Sequence, residues 1–180
     1  MALDGIRTAL PFHKTDGGRR GAGYTGSRAR DCVTRAVTIG TQQDYGTVYD
    51  ILSVGSRTQR LTKRSKQQVS ARNGVNTKRK WFKDYMASLG WEYVSCCRNL
   101  YQVIHLCAEE LGKNLPDNRI LICAVTGGKG GHYTTLVNGV VHDLWNPSAP
   151  RETAYGTSKC RVYGYWQRGA PAFSKEKKHV

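Results

Sequence analysis

Acidic residues are scarce in this chain: 13 Asp and Glu stand against 28 Lys and Arg, a formal charge of +15 over 180 residues. An imbalance of that size favours contact with polyanions such as nucleic acid, an acidic protein or an anionic surface, and it bears on association rather than on fold. Long apolar runs are missing too. Met1 to Lys14 has no stretch fit for a secretory h-region and no later segment approaches a membrane span, so a soluble, cytoplasmic protein is expected. The six cysteines, at 32, 96, 97, 107, 123 and 160, have neither the density nor the spacing of a disulfide scaffold; most are read as small core residues kept reduced. No paired C-x-x-C knuckles accompany Cys96, Cys97, His105 and Cys107, so neither a metal nor another cofactor is expected. Internal repeats are absent.

What is present suffices for one domain: 39% hydrophobic residues in a chain too short for two generous cores. Residues 1–29, rich in Gly, Arg, Ser and Thr around Gly17-Gly18-Arg19-Arg20-Gly21, read as a flexible basic arm. The domain proper spans 30–168, with a basic insertion at about 56–80, and 169–180 reads as a flexible basic tail. The segments 19–30 and 57–80 are the candidate polyanion contacts, although such charge runs are commonly solvated faces. Trp81 and Phe82 lie beside the second run, but Phe82, Tyr85, Met86 and Leu89 form a helical stripe closed by Gly90, which assigns Phe82 to packing rather than base stacking.

Cys32, Ala36 and Ile39 at i, i+4, i+7 predict a helix with one inward face, ending near Gly40. A second helix follows Asp44, with Tyr45, Val48, Tyr49 and Leu52 on one stripe and Gly55 as terminator. After Gly90 the period changes: Trp91 to Val94 alternates, Tyr101 to Leu106 suggests another strand, and Ile120 to Val125 suits a buried central one. The firmest local feature is a hairpin, His132 to Val137, an Asn138-Gly139 type I′ turn, then Val140 to Trp145. Arg161 to Trp166 reads as the last strand. Helices followed by strands predict an α+β domain, N-terminal helices packed on a C-terminal antiparallel sheet.

One set of residues is ordered for chemistry. Cys32 at a helix start lies near the positive end of the helix dipole and near unpaired backbone N–H groups, which favour thiolate. His132 follows Gly130-Gly131 at the start of a strand, and the returning strand offers His142, Asp143 and Asn146 as the group that fixes its tautomer. Taken singly, each has a bland role: core thiol, loop-edge imidazole, turn former.

The order Cys, His, Asn resembles the papain-like cysteine peptidase superfamily, and within it the bacteriocin-processing (C39-like) peptidases, through His132-Tyr133-Thr134-Thr135-Leu136-Val137 and Asn146-Pro147. The chain is also similar to small bacterial and phage proteins with an Asp-Cys-Val-x-Arg-Ala helix, a Tyr-x-x-Val-Tyr-x-x-Leu helix, a Gly-Val-x-His-Asp-x-Trp-x-Pro strand and a terminal Tyr-Gly-Tyr-Trp. Here these are Asp31 to Ala36, Tyr45 to Leu52, Gly139 to Pro147 and Tyr163 to Trp166. The resemblance implies a papain-like fold and a cysteine-dependent hydrolase acting on a peptide or protein. Cys32 would be nucleophile, His132 general base and then acid, and Asn146 the orienter, with Asp143 next in line. Cell-wall amidase relatives, with an Asp-Cys helix start and a His as third group, would put His142 there instead. Such enzymes commonly place a Gln before the Cys as oxyanion donor; this chain has Gly26 to Arg30 there, leaving the Cys32 backbone N–H with Thr25 or Ser27. The competing expectation is a catalytically silent papain-like module that binds nucleic acid or an acidic partner through its basic segments.

Overall fold

The computed structural model describes residues 7–26, 29–58, 71–96, 103–127, 130–153, 156–158 and 160–169. Most of the basic insertion, 59–70, and most of the tail, 170–180, lie outside the described residues, as does the start of the strand expected at Tyr101.

The helices form where the periodicity places them. α1 spans Cys32–Thr41, α2 Tyr45–Arg57 and α3 Lys80–Ser88. Asp44 caps α2 by accepting from the Thr47 N–H at 2.9 Å. Gly55 does not end that helix, which continues to Arg57. The glycine instead permits a close approach, since a Cβ there would overlap the Trp81 ring. Among the described residues no helix is long and apolar enough to cross a membrane.

Among the described residues eight strands form, in chain order: β1 (Phe12–Lys14), β2 (Trp91–Ser95), β3 (Ile120–Gly127), β4 (Gly130–Val137), β5 (Val140–Asp143), β6 (Arg151–Thr153), β7 (Gly156–Ser158) and β8 (Val162–Arg168). Six of them build one sheet in the order β1-β5-β4-β3-β8-β2, and β6 and β7 pair separately. The β4–β5 hairpin turns at Asn138 and Gly139, both at positive φ (49° and 78°), as a type I′ turn demands. The protein is α+β, but its sheet is mixed rather than antiparallel, because β1 runs parallel to β5.

That parallel edge revises the expected arm. Residues 7–26 are built into the fold, with β1 held through backbone bonds such as Val141 N–H to the Pro11 carbonyl and Thr15 N–H to the Asp143 carbonyl, both 2.8 Å. All three β1 side chains are exposed, so the strand leaves no hydrophobic pattern in the sequence. The 103–106 stretch contributes only an isolated bridge, His105 to Arg161, where a strand was expected.

Both faces of the sheet are buried. The helices cover one, where Val37, Val48, Leu52, Phe82, Met86, Ile122 and Trp166 pack together. On the other, Leu121, Cys123, Val125, Leu136 and Val141 meet Leu10, Ile104, Leu106 and Leu115 from non-helical segments. This explains the unbroken apolar run of β3, whose alternate residues serve opposite cores. α1 is enclosed nearly all round, burying Val33, Thr34, Arg35, Ala36, Val37, Thr38 and Gly40, and not the single Cys32, Ala36, Ile39 face that its spacing suggests.

Candidate active site

Cys32 is the first residue of α1 and is only partly buried. Its neighbour Asp31 occupies the N-cap position without capping through its side chain. The first intrahelical bond is Arg35 N–H to the Asp31 carbonyl, 3.0 Å, so the N–H groups of Cys32, Val33 and Thr34 precede the ladder at the positive end of the dipole.

β4 lies beside α1 and carries His132 to the thiol. Thr135 pairs with His142 across the hairpin, so Thr134 falls opposite Asp143, and His132 and Asp143 share one face of the sheet. His132 Nε2 donates to Asp143 Oδ2 at 2.6 Å, and the Cys32 thiol is coupled electrostatically to the same ring. With Nε2 engaged, Nδ1 is the nitrogen that faces the sulfur. The Trp145 ring lies 5.0 Å from the imidazole, centroid to centroid, at 34°. His132 itself is 9% exposed.

The electrostatics describe an ion pair. Burial of Cys32 opposes ionisation, but the hydrogen bond and charge of His132, a backbone hydrogen bond from Tyr133 and the charge of Arg35 outweigh it and hold the thiol below its ordinary range. Burial likewise disfavours a charged His132, yet hydrogen bonds to Asp143 and Cys32 and the charges of both lift its pKa to about 9. Desolvation resists ionisation of Asp143 as well; His132, Arg35 and the Leu144 N–H reverse this and keep the carboxyl below its usual value. A thiolate, an imidazolium and a carboxylate are therefore mutually stabilised.

Of the residues singled out by sequence, Cys32, His132 and Asp143 meet, and Asn146 does not. The orienting position assigned to Asn146 is filled by Asp143. Asn146 donates from Nδ2 to the Leu10 carbonyl at 3.0 Å and accepts from Ser148 N–H and Oγ at 3.0 and 2.6 Å, so it builds the turn that anchors the N-terminal segment. His142 points to the opposite face from Asp143 by strand alternation and lies 4.9 Å from His13 across the β1–β5 pair, ring to ring. Of the suggested oxyanion helpers, Ser27 lies outside the described residues, and Thr25 is exposed on the rim of a cavity of about 430 Å³ with Tyr24, Tyr45 and Tyr49.

Sequence reasoning passed over the buried charges behind the site. Arg35 Nη1 donates to Asp143 Oδ1 at 2.8 Å and Arg35 Nε to Asp31 Oδ1 at 3.2 Å. Tyr45 Oη donates to Asp31 Oδ2 at 2.6 Å, and Arg19 Nε lies 3.0 Å from the same oxygen. The i, i+4 spacing of Asp31 and Arg35 was a readable signal for one of these bonds. Comparison with protein-family models, curated proteins and solved structures found no match for this chain.

Proposed function

We propose that this protein is a papain-like, C39-like cysteine hydrolase that cleaves an amide, peptide or isopeptide bond through an acyl-thioester on Cys32. One observation carries the reading: a single imidazole, His132, bridges a helix-start thiol and a buried carboxylate. The Cys32 thiolate attacks the carbonyl carbon, and the negative charge moves to the carbonyl oxygen at the open end of α1, where the Cys32 N–H is aimed. The imidazolium gives its proton to the leaving amine as the C–N bond breaks, leaving the acyl group on sulfur. Neutral His132 then takes a proton from water, the hydroxide adds to the thioester, and collapse releases the acid and restores the thiolate. Asp143 keeps Nε2 protonated throughout and stabilises the imidazolium.

The pH dependence follows from the directions of the two shifts. Acylation needs thiolate and imidazolium together, so kcat/KM falls on the acid side as the depressed thiol takes a proton, and on the basic side as His132 loses one near about 9. Alkylation by iodoacetamide needs only the thiolate, so it keeps its rate on the basic side. Site-resolved mass spectrometry of alkylated native protein checks this: Cys32 reacts below the ordinary thiol value of 9.0. In His132→Ala the reaction at neutral pH slows, because the hydrogen bond and charge that lower the thiol are lost. Cleavage of a peptide library, lost in Cys32→Ala, completes the test. A native Cys32 that titrates like a free cysteine would sink the hydrolase reading.

A further inference from the structure

The triad does not end at its carboxylate. Asp143, 2% exposed, divides its oxygens: Oδ2 accepts from His132 Nε2, while Oδ1 accepts from Arg35 Nη1 at 2.8 Å and from the Leu144 N–H at 2.7 Å. Arg35 is itself 6% exposed, and its Nε reaches back one helical turn to Asp31. One planar guanidinium therefore joins the residue before the nucleophile to a carboxylate on β5, 108 residues beyond Arg35 itself. The segment after β1 closes this junction from outside, with Gly17 against the Arg35 backbone. A stabilising pair alone does not explain this placement, because a buried ion pair is often no better than apolar packing. It does explain how a full negative charge can stand behind the imidazole: the cation satisfies the oxygen that His132 does not use.

We propose that Arg35 is a positioning residue, which orients Asp143 toward His132 and ties that carboxylate to the start of the nucleophile's helix through Asp31. The proposal rests on the hydrolase reading for the purpose of the site, and its test is read on the thiol itself. Arg35 shares Asp143 with His132 from β4. On α1 it faces Cys32, and behind it Asp31 is held by Tyr45 of α2 and by Arg19. Lys14, opposite Asp143 in the β1–β5 pairing, is exposed. Removing the Arg35 charge takes a cation from the field of the Cys32 thiolate and leaves Asp143 unshared behind His132.

The experiment titrates the Cys32 thiolate by its ultraviolet absorbance, as the difference from Cys32→Ala, and measures its alkylation rate against pH. The variants are Arg35→Lys, Arg35→Met, Asp143→Asn and the double variant Arg35→Met with Asp143→Asn. Arg35→Met is expected to move the thiol titration upward and to slow alkylation at neutral pH. In the Asp143→Asn background, where the charge behind His132 is already gone, the same substitution is expected to have much less effect, a non-additivity that mere packing does not produce. Arg35→Lys keeps the charge and guards against a variant that does not fold; it cannot hold both carboxylates, so it too is expected to shift the profile. A folded Arg35→Lys with the wild-type thiol titration, or equal Arg35→Met effects in both backgrounds, overturns the proposal while the depressed wild-type titration leaves the hydrolase reading intact. An undepressed wild-type thiol ends both.

Discussion

Asn146 follows Asp143, the last residue of β5, by three positions, and sequence logic treats them as rivals, since both can hold an imidazole by one hydrogen bond. The choice between them is made by direction. Asp143 keeps the face of β5 that looks at His132, whereas Asn146 lies beyond the strand, where its amide is consumed by Leu10 and Ser148. Asn146→Ala should therefore cost about 1–2 kcal/mol of stability in denaturant unfolding, as two or three partly buried hydrogen bonds are lost, and leave Cys32 alkylation unchanged. Asp143→Ala should lower turnover by about 10²–10⁴, the range set by loss of the group that fixes the tautomer. Equal loss of thiol reactivity in a folded Asn146→Ala would return the orienting role to the asparagine.

Elements that bury a periodic face were legible, and elements held by their backbone were not. The three helices, the β4–β5 hairpin, β3 and β8 each place apolar side chains at a fixed spacing, and the sequence marks them within a few residues. β1 is held to β5 by its main chain and buries none of its side chains, so nothing in Phe12–Lys14 announces it. The Cys32–His132 juxtaposition was expected from a thiol at a helix start and from the order Cys then His that a thiol hydrolase needs. The Arg35 link was harder, since half of it depends on how β5 is registered against α1. Gly55 shows the same limit from the other side: a residue that reads as a helix stop is a contact point inside α2. Gly55→Ala should consequently destabilise the protein by about 1–3 kcal/mol through overpacking against Trp81, although alanine is the better helix former by about 1 kcal/mol. Thermal unfolding measures the sign; a stabilised variant would show that Trp81 yields freely.

At the scale of the molecule, a two-sided sheet needs two covers, and this chain supplies one from helices and the other from segments with no regular period. Leu10, at 2% exposure, is part of the second cover although it lies in the stretch that composition marks as a loose basic arm. Leu10→Ala should cost about 2–4 kcal/mol, a core value rather than a surface one, measured by chemical denaturation. A loss below about 0.5 kcal/mol, typical of an exposed site, would mean that the segment does not pack as described.

The distance along the chain between the thiol and its activating partners has a consequence for biosynthesis. Positions 132 and 143 are made 100 and 111 residues after position 32. On a ribosome the sulfhydryl therefore remains an ordinary one until the hairpin has emerged and docked. A thiol that depends on partners made this much later gains its reactivity only once they are folded against it.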